Sequence, residues 1–134
     1  MISHLIYPLP EFLLYLAVAL GLSTLFGAIY IQVTPHKEWT LIRQGNLAAA
    51  IAFSGSLLGF VLPLASVITN STSILDFALW GLVALVIQIL AFFVARTIIR
   101  DLPRQIEADN RAVAILVGAI FIAVGLLNSA CMTW

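Results

Sequence analysis

Few residues in this chain can do chemistry, and their positions sort them. Ser23 and Thr24, Ser54 and Ser56, and Gln88 each lie deep inside a long uncharged run. Gln88 is the most polar of them. Its carboxamide offers donors and acceptors that can bridge helices, or line a path for water, an ion or a small solute. In a lipid setting it is expected to face neighbouring helices and bond to a hydroxyl or a carbonyl, a contact contributing about 0.6–2 kcal/mol. Intramembrane charge is the usual mark of transport, and no charge accompanies Gln88. Structural bonding is the favoured reading, with a permeation path as the alternative.

The remaining polar residues stand at the ends of the runs. Asn46 and Asn110 sit where helices should begin, and asparagine is a favoured N-cap. With Arg43 and Arg111 nearby, the same two helix starts allow an anion site. Glu11 and Asp76 open two other runs, where a carboxylate complements the helix dipole, and as a pair they allow a cation entrance. His4 and His36 fall on opposite sides of the expected membrane, so they share no metal. Cys131 is the single cysteine and is expected as a small buried apolar residue. Asn70-Ser71-Thr72 is expected as a polar turn. No recognisable nucleophile–base–carboxylate motif and no phosphate-binding glycine loop occurs. Neither an enzyme nor a bound metal or cofactor is expected.

The elements that place these residues are readable from composition. Of 134 residues, 63% are hydrophobic and 9% charged, where a soluble surface needs about 25%. Four uncharged runs, Phe12–Val33, Leu47–Thr69, Phe77–Ala95 and Ala112–Ala130, are each long enough as helices to cross about 30 Å of hydrocarbon. Helices are required because lipid leaves unpaired backbone groups unsatisfied. The first run lacks a basic start, and its Ala17-Val18-Ala19 lies within the apolar stretch, so it reads as a retained helix rather than a signal peptide. With zero net charge, no acidic or basic balance points to nucleic acid, and no nucleic-acid partner is expected. The fold class is an all-α integral membrane protein, with residues 1–134 forming one membrane domain.

All six basic residues fall in or beside segments 34–46 and 96–111. Loops rich in Lys and Arg stay in the cytoplasm, so these segments are expected inside and both termini in the periplasm. Tyr7, Tyr15, Trp80 and Trp134 would then form an outer aromatic belt, with Tyr30 and Trp39 at the inner boundary.

Two further patterns concern packing. Ala48, Ala52, Gly55, Ser56 and Gly59 recur at steps of three and four, a small-residue face containing a GxxxG match, with a partner helix in the same chain or another. Pro63 predicts a kink near Gly59. The chain also repeats weakly at 64–65 residues: Glu11-Phe12 with Asp76-Phe77, Asn46-Leu47-Ala48-Ala49-Ala50-Ile51 with Asn110-Arg111-Ala112-Val113-Ala114-Ile115, and Ser54-Gly55 with Gly118-Ala119. Two hairpins, about 9–69 and 74–134, would form a parallel repeat about the membrane normal.

The Asn-x-Ala-x-Ala-Ile opening of each second helix, with the stretches TPHKEW, AAAIAFSGSLLGFVLPL, ALVIQ and NSACMTW, resembles the YjfL-like family of small bacterial inner-membrane proteins, a domain of unknown function (number 350). The resemblance covers nearly the whole chain. It implies an inner-membrane location and carries over no catalytic residue. Because members are often encoded beside membrane-stress proteins, it also suggests envelope maintenance with a cytoplasmic peripheral membrane-stress protein as partner. The leading expectation is a membrane-embedded interaction or scaffold protein, whose partners are the lipid bilayer and a peripheral protein. The alternative is a small channel or transporter, which four helices can form only as a homo-oligomer.

Overall fold

The computed structural model describes Ile6, residues 8–34 and residues 38–132, and its regular elements are all helical among them. Ser3, His4, Tyr7, His36, Lys37 and Trp134 lie outside the described residues. The helices are α1 (Leu9–Val33), α2 (Glu38–Arg43), α3 (Leu47–Asn70), α4 (Ile74–Ile98), α5 (Leu102–Glu107) and α6 (Arg111–Cys131). Four of them, α1, α3, α4 and α6, run for 21–25 residues at mean hydropathies of 2.1–2.5, long and apolar enough to cross a membrane. They are the four expected runs, each slightly extended. α4 begins at Ile74 rather than at Asp76 because Ser73 caps it. Ser73 Oγ accepts the Asp76 N–H at 3.1 Å, and the Asp76 carboxylate accepts the Thr72 N–H at 3.2 Å.

The short helices α2 and α5 occupy segments that the sequence reading leaves as loops. Each turns the chain into the next span through the same bonds. After α2, Gly45 N–H donates to Ile42 O at 3.0 Å and Asn46 N–H to Leu41 O at 2.9 Å. After α5, Asp109 N–H donates to Ile106 O and Asn110 N–H to Gln105 O, both at 3.0 Å. This closure needs a left-handed residue, supplied by Gly45 (φ 85°) and Asp109 (φ 59°). Asn46 Oδ1 then accepts the Ala49 N–H at 2.9 Å, and Asn110 Oδ1 the Val113 N–H at 3.3 Å. Both asparagines are therefore N-caps.

Parallel helices α3 and α6 form the centre. Gly55 lies against Gly118 and Gly59 against Gly125, and Ser66 Oγ donates to Ser129 O at 3.1 Å. α4 packs on both, and α1 packs on α3 and α4. Phe26, Phe60, Phe92 and Phe121 are buried around Tyr30, with Phe26 stacked on Phe60 at 4.8 Å and Tyr30 meeting the edges of Phe92 and Phe121. Tyr30 thus belongs to the aromatic core and not to an interfacial belt, because it shares the inward face of α1 with Leu22 and Phe26. Trp39 and Trp80 are exposed, as a belt requires. Leu20, Leu58, Leu90 and Leu127 are each more than half exposed, which suits lipid contact. Cys131 is exposed rather than buried. The inward stripe of α6 runs through Phe121, Gly125 and Asn128, and position 131 is turned off it.

Candidate functional site

Ala48, Ala52, Gly55, Ser56 and Gly59 are all buried, and the small-residue seam they form receives α6 of the same chain. A Cβ on Gly55 would lie 2.6 Å from Gly118 Cα, one on Gly59 would meet Phe121 O, and one on Gly125 would meet Gly59 O. The helix passes Pro63 unbroken. Proline supplies no N–H, so Gly59 O lacks its helical donor, and that carbonyl is the one lying against Gly125.

Gln88 enters this seam from α4. Its Nε2 donates to Ser56 O at 3.2 Å on α3 and to Phe121 O at 3.3 Å on α6, so one amide ties three helices together. The side chain is fully buried, and Gln88 Oε1 and Ser56 Oγ have no partner among the described residues. The other members of the expected polar layer do not join them. Ser23 is half-buried and its hydroxyl donates to Ala19 O at 2.9 Å; Thr24 is exposed and donates to Leu20 O at 2.8 Å. Ser54 is exposed in an apolar groove with Ala50, Gly118 and Ala119. Depth along a helix places these residues at one level, but rotation about each axis decides which face inward. A hydroxyl turned away from the bundle satisfies itself on the preceding turn.

Three buried polar residues escape the sequence reading, the first being Thr34 just after α1. Asn128 is buried on α6, seven residues beyond Phe121 and on the same stripe. Glu38, in the segment 34–46 expected as a loop, is fully buried at the start of α2. The only signal for it is the 64-residue offset, which aligns Glu38 with the buried Leu102.

At the end of the bundle that carries α2 and α5, Arg43, Arg96, Arg100, Arg104 and Arg111 are all exposed. The carboxylates of the same segments are partly withdrawn. Glu38 is buried, and Asp109 Oδ1 accepts the Ala48 N–H at 2.9 Å while its Oδ2 meets Arg111 at 3.5 Å. The anion position expected at the start of α3 is therefore filled by the chain's own Asp109. Asn46 Nδ2 turns instead to Ile106 O at 3.0 Å and Glu107 O at 3.3 Å. Asp101 and Glu107 remain exposed. No three of the described His, Cys, Asp and Glu residues cluster with metal-site geometry.

Residues 4–132 match the family model for the Domain of Unknown Function DUF350. The chain is 42% identical over 131 residues to the UPF0719 inner membrane protein YjfL of Escherichia coli K12, covering 98% of this chain and 99% of that one. It is 32% identical over 120 residues to the UPF0719 transmembrane protein YshE of Bacillus subtilis, covering 88% of each. No solved structure matches.

Proposed function

The chain belongs to the DUF350 family, and from that premise we propose that this multi-pass inner-membrane protein is an embedded interaction scaffold serving envelope maintenance. The observation that carries the reading is the charge at one end of the bundle, where five arginines are exposed while Glu38 is buried and Asp109 is engaged by the Ala48 N–H and Arg111. Such an end attracts acidic surfaces, at about 1 kcal/mol per basic residue near an anionic leaflet. We place it in the cytoplasm with both termini outside, following the charge rule, and give it an acidic peripheral protein as partner. The inner-membrane name of the Escherichia coli relative and the transmembrane name of the Bacillus subtilis one support the setting.

We also read the chain as two hairpin units, 9–69 and 74–134. The equal 25-residue lengths of α1 and α4 and the matching closures at Gly45 and Asp109 support this duplication. A channel or transporter has less support, because only Ser56 and Gln88 of the five midplane residues meet, and Gln88 spends its donors on backbone carbonyls.

The test is co-purification from gently solubilised membranes. An Arg43→Ala/Arg100→Ala variant is expected to lose salt-sensitive acidic partners that the wild type retains. An unchanged set of partners would refute docking on this end.

A further inference from the structure

Between the end of α4 and the start of α5 lies a crevice of about 280 Å³ lined by Arg96, Asp101, Leu102, Pro103 and Arg104. Two guanidinium-bearing side chains share this one small concavity. Both arginines are exposed, and the ion pair described at this end joins Arg111 to Asp109, with none at Arg96 or Arg104 among the described residues. Two guanidiniums and the Asp101 carboxylate leave one positive charge, which a single phosphodiester neutralises. The guanidinium fork is suited to phosphate oxygens.

Depth agrees with charge. Arg96 stands two residues inside the end of α4 at Ile98, so the crevice opens at the boundary of the apolar span, the level of lipid headgroups. Buried Leu102 and half-buried Pro103 give it an apolar side. The other half of the chain has a crevice in the corresponding place, lined by Ile31, Gln32, Thr34, Glu38, Trp39 and Thr40. Ile31 stands for Arg96 there, and Thr40 for Arg104. Seating a short helix beneath a span therefore does not require arginine at these positions, and what the second crevice adds is affinity for an anion.

We propose that the Arg96–Arg104 crevice binds the phosphodiester of an anionic membrane phospholipid of the phosphatidylglycerol type. The assignment holds whichever protein docks on the basic end.

Native mass spectrometry of the full chain, supplied with equal phosphatidylglycerol and phosphatidylethanolamine, tests it. The wild type is expected to retain phosphatidylglycerol preferentially, and Arg96→Gln/Arg104→Gln to lose about fivefold for each arginine removed. Arg43→Gln/Arg100→Gln, which removes equal charge outside the crevice, should lose clearly less of the lipid than the crevice pair does. Asp101→Asn, which removes the crevice's carboxylate, should raise retention. Equal losses in the two arginine pairs, or no preference between the lipids, would overturn the site. Displacement of the lipid by millimolar inorganic phosphate would assign the crevice to a soluble phosphate and overturn the lipid assignment. Because the docking test uses Arg43 and Arg100, either proposal can fail alone.

Discussion

Asp109 Oδ1 accepts the backbone N–H of Ala48 at 2.9 Å, so the turn that follows α5 caps the helix that follows α2. Asn46 Nδ2 returns the link by donating to Ile106 O. The two connections are thereby locked together above the parallel α3–α6 pair. Asp109 also holds φ 59°, which only a few residue types adopt readily.

Asp109→Ala should therefore lose a cap and strain the turn together, costing about 1–3 kcal/mol. Asp109→Asn keeps an acceptor oxygen and tolerates the left-handed backbone, so its cost should be less than half as large. Unfolding in mixed micelles, followed by helical circular dichroism, measures both. Equal costs would show that the cap and the backbone conformation contribute nothing separately.

The glycines of the α3–α6 seam should differ among themselves. A Cβ on Gly125 meets the Gly59 carbonyl, and one on Gly59 meets that of Phe121, both backbone atoms that cannot swing aside. Gly59→Ala and Gly125→Ala should each cost about 3 kcal/mol or more, the upper range for overpacking. At Gly118 the nearest contact is Ile51 O at 3.5 Å, ordinary van der Waals distance, so Gly118→Ala should change stability by less than about 1 kcal/mol. The same micellar unfolding ranks the three, and a Gly118 cost equal to that of Gly125 would contradict the seam geometry.

The contrast between these glycines shows how far the sequence could be read. Hydropathy marks all four spans because lipid imposes one requirement over many consecutive residues. Asn46 and Asn110 are legible as caps because capping is local. Gly59 and Gly55 announce a close approach without naming the partner, since α6 is brought alongside only by the folded connections. The midplane layer fails for a related reason. Ser23 and Gln88 share a depth, yet the inward face of α1 is set by Leu22, Phe26 and Tyr30, and this rotation leaves the hydroxyl to its own helix. Glu38 and the crevice beside Arg104 depend on short helices that carry no periodic signal in six residues.

Gln88→Leu is expected to lower stability by about 0.6–1.7 kcal/mol, the range for interhelical polar contacts in membranes. The loss should be modest because Ser56 O and Phe121 O lie inside helices and keep backbone partners, and because the partnerless Oε1 leaves with the amide. Ser56→Ala removes only an unpartnered hydroxyl and should be neutral within about 0.5 kcal/mol. Proteoliposomes of the wild type and Gln88→Leu should show the same background ion leak. A leak present in the wild type and altered by the leucine would restore the channel reading.

The orientation in the membrane follows from charge placement. The five arginines lie in or beside the two segments that carry α2 and α5, which the Asn46–Ile106 bond shows to be at one end of the bundle. If that end is cytoplasmic, as the charge rule requires, a cysteine at Arg104 in a Cys131→Ala background should label with an impermeant thiol reagent only after the membrane is opened. The native Cys131, exposed at the end of α6, should label on cells whose outer membrane alone is permeable. A cysteine replacing Arg43 must behave as Arg104 does, since one folded end cannot face two compartments. Labelling of Arg104 from the periplasm would invert the protein, and labelling of Arg104 and Arg43 from different sides would break the four-span count itself, because an even number of crossings must separate them.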